Sequence, residues 1–301
     1  MTDALTARFE ATDESSVMTV RDTSSHPLDH PIWTALTTTQ QSLAEGDARA
    51  RRYPTEITPF AAMPDMSDEN FAALGALMSP QDIAVLFTPD AVSPPAGFKV
   101  VLADTGEQMI GTPVEMPLDG VDIVTLGAED VSAMMELTAL TKPGPFSART
   151  HELGTFLGIR VGGNLVAMAG ERMKPAEYTE ITAVCVHPSH RGRGYGQMLL
   201  GAVSRQILAR DEIPFLHVFS SNESAIALYK RQGMEIRCRF HGNGAAEGLM
   251  DSAMHALTVP ILTPRCACHS GPGRGRDCGR RRLPSACRGN APSLCRGWLA
   301  L

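Results

Sequence analysis

The stretch His187-Pro188-Ser189-His190-Arg191-Gly192-Arg193-Gly194-Tyr195-Gly196-Gln197-Met198-Leu199-Leu200 decides how the rest of the chain is read. Before it, TAVCV (182–186) has the apolar character of a buried strand that Pro188 closes. After it, GQMLLGAVSRQILAR (196–210) puts Leu199, Leu200, Val203 and Ile207 on one helical face. The glycines therefore sit in a strand-turn-helix corner. A helix N-terminus carries unpaired amide N–H groups and about half a positive charge, so it attracts anions. Glycine lets the backbone there take dihedrals that a Cβ would forbid. Arg191 and Arg193 add cationic side chains, and the corner reads as a phosphate cradle.

Working outward, PFLHVFSS (214–221) reads as the next strand, NESAIALYKRQ (222–232) as a helix capped by Asn222, and MEIRCRF (234–240) as a strand. Upstream, VDIVTLGAED (121–130) is a strand running into the helix DVSAMMELTALT (130–141). PFSARTHEL (145–153) reads as a short helix, and FLGIRV (156–161) and NLVAMAGER (164–172) as a hairpin turning on Gly162-Gly163. YTEITAVCVHP (178–188) is the strand that enters the glycine turn. Closer to the N-terminus, HPIWTALTTTQQSLA (30–44) and SDENFAALGALM (67–78) read as helices. EITPFAAMP (56–64), DIAVLFTP (82–89) and FKVVLADT (98–105) read as strands. MHALTVPIL (254–262) is a candidate last strand. The fold class is α/β, with a mixed sheet flanked by helices.

Four segments follow: a polar, disordered lead over 1–27; an α/β region over 28–118; a second α/β unit over 119–262; and a basic, disordered tail over 263–301. The overall charge of -6 hides an asymmetry. Eight Arg against one Asp from Arg265 onward make a +7 tail, which leaves -13 for residues 1–264. An acidic body disfavours a nucleic-acid partner. The lead has no basic or apolar signal region, and no run approaches the ~18 apolar residues of a membrane span. Only Cys185 and Cys238 lie outside the tail, which fits a reducing cytoplasm. The tail cysteines lack paired C-x-x-C spacing, so no metal site is assigned, and the tail reads as disorder without function.

Two families of phosphate cradle fail on detail. A P-loop needs a Lys-Ser/Thr pair after its glycines, and a dinucleotide fingerprint needs G-x-G-x-x-G where this chain has G-x-G-x-G. HPSHRGRGYGQMLL instead resembles the coenzyme A-binding motif of the GNAT superfamily, the general-control-related N-acetyltransferases. Arg191-x-x-Gly194-x-Gly196 matches its [QR]-x-x-G-x-[GA] core. NESAIALYKRQGM resembles that superfamily's next block, with Asn222, Ala225, Tyr229 and Gly233 at its intervals; Met234 stands where Phe is usual. The resemblance spans about residues 119–262. Residues 28–118 are similar, more weakly, to the degenerate first half of glycine N-acyltransferase-like proteins.

The resemblance implies a GNAT fold, acetyl-CoA as acyl donor, and transfer to a primary amine of a small molecule or amino acid. A protein N-terminus or lysine, or acyl-CoA sensing without turnover, are the alternatives. It implies contacts to the pyrophosphate from Arg191, Gly192, Arg193, Gly194, Tyr195, Gly196 and Gln197, and to the pantetheine arm from Val184, Cys185, Val186, Asn222 and Ala225. Glu180 falls at the position of the base in the histone-acetylating branch, with Glu171 in reserve; a solvent-facing strand carboxylate is the plain reading. Tyr229 falls at the acid's place, with core packing beside Ile226 as the plain reading. Cys185 reads as a buried apolar cysteine, and His187 and His190 as exposed loop residues. The oligomeric state, monomer or homodimer, is open.

Overall fold

The computed structural model describes residues 26–113 and 120–247. The lead before residue 26, the candidate strand at 254–262 and the basic tail lie outside them. The elements, in chain order, are α1 (Pro31–Thr37), β1 (Glu45–Gly46), β2 (Arg51–Arg52), β3 (Ala61–Ala62), α2 (Asp68–Ala76), β4 (Ala84–Thr88), β5 (Phe98–Ile110), β6 (Ile123–Leu126), α3 (Val131–Thr141), β7 (Phe156–Val161), β8 (Asn164–Glu171), β9 (Tyr178–Val186), α4 (Tyr195–Leu208), β10 (Ile213–Phe219), α5 (Glu223–Arg231) and β11 (Glu235–Glu247).

Eight strands form one mixed sheet in the order β4-β11-β5-β10-β9-β8-β7-β6, and β1 to β3 form a small antiparallel ribbon beside it. Every neighbouring pair in the large sheet is antiparallel except β9 and β10. Parallel strands need a crossover, and α4 supplies it. Its Leu199, Leu200, Val203 and Ile207 pack into the core with Ile181, Leu216 and Val218. Alternation along β10 sends Phe215 the other way, into a core shared with Leu28, Ile32, Phe60 and Phe87. α3 covers the far end of the sheet through Met134 and Leu137 against Met168 and Phe156.

The sheet does not respect the boundary drawn at 118/119. β4 and β5 come from the N-terminal stretch, yet β4 pairs with β11, and β5 lies between β10 and β11. The N-terminal region is thus part of the layer that carries the glycine turn. Two strands also run further than expected. β5 continues through Gly106, whose missing side chain makes room for the Phe240 ring: a Cβ there would lie 2.3 Å from it. β11 continues through Gly242 and Gly244 because the strand is buried between two neighbours; a Cβ on Gly244 would meet Leu102 at 2.8 Å.

Two expected helices shrink. α1 stops at Thr37, where the hydroxyls of Thr37 and Thr38 turn back onto the carbonyls of Trp33 and Thr34. PFSARTHEL keeps only a 3-10 turn at Thr150–Leu153. Its hydrogen bonds go to the backbone of the N-terminal region instead: Arg149 N–H to Glu56 O (3.0 Å) and Thr150 Oγ1 to Ile57 O (2.6 Å).

Candidate active site

The glycine turn and α4 are placed as expected. Gly192 (φ +77°) and Gly194 (φ +79°) both occupy the left-handed region, where a side chain is strained. Gly194 is the N-cap of α4, and no side chain caps that end. The amides of the first turn therefore keep free donors toward whatever occupies the mouth.

The parallel pair opens beside this helix end. β9 and β10 pair at Ile213↔Tyr178, Pro214↔Thr179 and Phe215↔Glu180, and no further, although both strands continue. A bulge bends β9 just beyond the last pair. Between Thr182↔Gly170 and Cys185↔Met168, β9 spends three steps against two on β8. Ala183 sits inside that bulge at φ +52°. Left-handed backbone costs a non-glycine residue about 1–2 kcal/mol. Ala183→Gly is therefore expected to leave urea stability unchanged or raise it by up to about 1 kcal/mol. Ala183→Val, with a branched Cβ, is expected to lower it.

The opening is a cleft of about 600 Å³, lined by Val184, Cys185 and Val186 on one wall, and by Asn222, Ala225 and Tyr229 on the other. That volume suits a small-molecule ligand. Arg191 and Gly196 lie at the helix end of the same cleft. Gly192, Arg193, Gly194, Tyr195 and Gln197 do not line it; they shape the turn and the first turn of α4. Asn222 caps α5, its Oδ1 accepting from Ala225 N–H at 3.2 Å. A second helix N-terminus thus reaches the cleft. Thr141, Pro143, Ser221, Ser224 and Leu228 also line it and were missed from the sequence. Ser221 and Ser224 flank Asn222 and were legible; Thr141 and Pro143 come from the distant end of α3.

Tyr229 is buried, and its phenol is pushed up to about 12, first by burial and then by the neighbouring Cys185. It stays protonated through the neutral range. The Cys185 thiol is likewise pushed up to about 11 by burial, so it is not a nucleophile at neutral pH. His187, Ser189 and His190 hydrogen-bond among themselves in an exposed turn. No cluster of metal-ligating side chains occurs among the described residues.

Glu180 is where the geometry and the expectation part. It has no solvent exposure and does not line the cleft. Its Oε1 accepts from Arg172 Nη2 (2.7 Å) and His217 Nδ1 (2.8 Å). Its Oε2 accepts from Arg172 Nε (2.7 Å) and, more loosely, from Met173 N–H (3.4 Å). Burial alone would raise its pKa. The Arg172 charge and these hydrogen bonds outweigh burial and hold it at about 2. A carboxylate so weakly basic, with its lone pairs occupied, does not suit the task of a base at neutral pH. The reserve, Glu171, is also buried and paired, with Lys174 (2.8 Å) and Arg210 (3.0 Å), away from the cleft.

Residues 156–240 match the model of the FR47-like protein family. The chain is 34% identical over 144 residues to the N-alpha-acetyltransferase RimI of Mycobacterium tuberculosis, covering 41% of this chain and 88% of RimI. It is 30% identical over 213 residues to an uncharacterised protein of Mycobacterium leprae, covering 66% of this chain and about half (51%) of that protein's length. A GNAT-family putative acetyltransferase structure from Novosphingobium aromaticivorans superposes with a TM-score of 0.69 at 37% identity, over 75% of this chain and 100% of that one. With its open strand pair, glycine turn and capped second helix, the chain belongs to the GNAT superfamily of N-acetyltransferases.

Proposed function

We propose that the chain transfers the acetyl group of acetyl-CoA to a primary amine, on an amino acid or another small molecule. The observation that carries this reading is the cleft between the parted ends of β9 and β10. It runs from an uncapped, glycine-rich helix end with Arg191 to a protonated, buried phenol. A diphosphate fits the helix end, where amides and a guanidinium meet. The exposed backbone of Val184-Cys185-Val186 is the surface for a pantetheine arm.

In the reaction the neutral amine nitrogen attacks the thioester carbonyl carbon. The C–S bond breaks, the thiolate is met by the Tyr229 hydroxyl, and the ammonium proton passes to water. Glu180 is not assigned the base role. The need for a base depends on the acceptor. A peptide α-amine, with a pKa of about 7.7–8.0, is neutral to roughly a tenth to a third near pH 7, whereas a more basic amine must lose its proton to solvent before it attacks. The two thiols among the described residues, Cys185 and Cys238, are free, in keeping with a cytoplasmic setting. No described helix is long and apolar enough to cross a membrane.

A second reading takes the α-amine of a protein as acceptor. The identity with RimI over most of RimI's length favours it. Thiol release from acetyl-CoA is the test, run against free amino acids, small amines, peptides with a free N-terminus, and N-blocked peptides carrying lysine. Turnover on the first two supports the main reading, and turnover confined to free peptide N-termini supports the second. Binding of acetyl-CoA without turnover on any amine would make the protein a sensor. No binding would sink the assignment of the cleft.

A further inference from the structure

The bond between His217 and Glu180 lies at an unusual place. Ladder pairing between β9 and β10 ends at Phe215↔Glu180, and His217 stands two residues further along β10, on the same face as Phe215. Its Nδ1 reaches back across the point where the strands part, to Glu180 Oε1 at 2.8 Å. The ring is fixed on its other sides. Phe87, Phe240 and Phe215 surround it at centroid distances of 4.7, 4.8 and 5.5 Å. Gln108 Nε2 stands 3.1 Å from the ring's Nε2. Burial keeps the imidazole neutral, Glu180 opposing that shift. The network then assigns the tautomer: Nδ1–H donates to Glu180, and Nε2 accepts from Gln108.

Glu180 is anchored in turn by both Arg172 donors, and the Arg172 guanidinium lies 4.6 Å above the Phe60 ring. Gln108 donates a second bond to Leu28 O (2.9 Å) and accepts from Arg237 Nη1 (3.0 Å). Residues of the N-terminal region therefore grip both ends of a brace that crosses the apex of the cleft. None of Arg172, Glu180, His217 and Gln108 lines the cleft itself.

We propose that His217 is a positioning residue. Its bond to Glu180 holds β9 and β10 at the separation in which the Val184–Val186 backbone and the α5 end can both reach acetyl-CoA. The N-terminal region then serves the reaction by clamping this brace. The proposal rests on the acetyl-CoA reading of the cleft.

The experiment compares two variants of the full chain by calorimetric binding of acetyl-CoA, steady-state kinetics and thermal melting. His217→Asn keeps an N–H donor near the Nδ1 position; His217→Leu keeps bulk and loses it. The Leu variant is expected to bind acetyl-CoA about tenfold more weakly and to raise its KM with a smaller change in kcat. The Asn variant is expected to stay within about twofold of wild type in both. Should His217→Leu fail to fold, His217→Gln takes its place, because its amide nitrogen extends to the Nε2 end. Equal affinity in all variants overturns the proposal. So does loss of the fold in every one of them, which would assign the bond to stability alone. Wild-type protein that binds no acetyl-CoA overturns the cleft reading and this proposal together, a result distinct from either.

Discussion

Tyr229→Phe is expected to lower kcat by about 100-fold while leaving the KM for acetyl-CoA within about threefold of wild type. The ring packs with the α4 core and loses nothing when the hydroxyl goes. Tyr229 and Cys185 line the same cleft. General acid catalysis contributes about 10²–10⁴-fold, and this phenol belongs at the low end. Held at about 12, it presents a hydrogen to a departing thiolate but yields it reluctantly. The same shift sets the alkaline behaviour. Tyr229 stays protonated well past the ordinary tyrosine range near 10, so activity should persist to about pH 11 before this group begins to ionise. The check is a pH–rate profile of both proteins with saturating amine. A variant that keeps a third or more of wild-type kcat would reduce Tyr229 to packing.

The parts of the site that could be read from the sequence are those made by neighbours in the chain. The glycine turn, the first turn of α4 and the Asn222 cap each depend on residues within four positions of one another. Local backbone chemistry dictates them. What could not be read depends on partners brought together by the sheet. Glu180 falls where the family resemblance implies a base, but Arg172 and His217, eight and 37 residues away, decide what its carboxylate can do. The same holds for β5. Its pairing with β11 joins Gly106 to Phe240, so a polar-looking stretch with a central glycine becomes the middle of a sheet. A break placed near residue 119 follows the extent of the family resemblance, while the hydrogen-bond ladder crosses it. The strained Ala183 has no local signal at all, since alanine is an ordinary strand residue until a bulge turns it.

Arg172→Met is expected to destabilise the fold by about 3–5 kcal/mol, because it leaves the Glu180 carboxylate buried without its principal partner. Arg172 is 2% exposed and Glu180 0%, so water cannot take over. The double variant Arg172→Met, Glu180→Leu is expected to recover most of the loss, since apolar replacement of a buried ion pair is often neutral. The pH dependence separates a charge effect from a packing effect. In the wild type the Glu180 pKa is held at about 2, below its value near 4.5 in the unfolded chain. Its contribution, of the order of 3 kcal/mol, is therefore full above pH 4.5 and is lost as the pH falls toward 2. His217 is also depressed by burial, so its neutral form favours folding above about pH 6.5 and that share fades below it. Removing Arg172 reverses the sign for Glu180. With burial now dominant, the carboxyl in the folded variant has a pKa above the unfolded value, and taking up a proton relieves the strain. The stability gap between wild type and Arg172→Met should therefore narrow as the pH is lowered from 7 to 4. Urea unfolding of both proteins at three pH values measures it. A gap under 1 kcal/mol, or one that does not change with pH, would mean that Glu180 is neither as buried nor as fully paired as the brace requires.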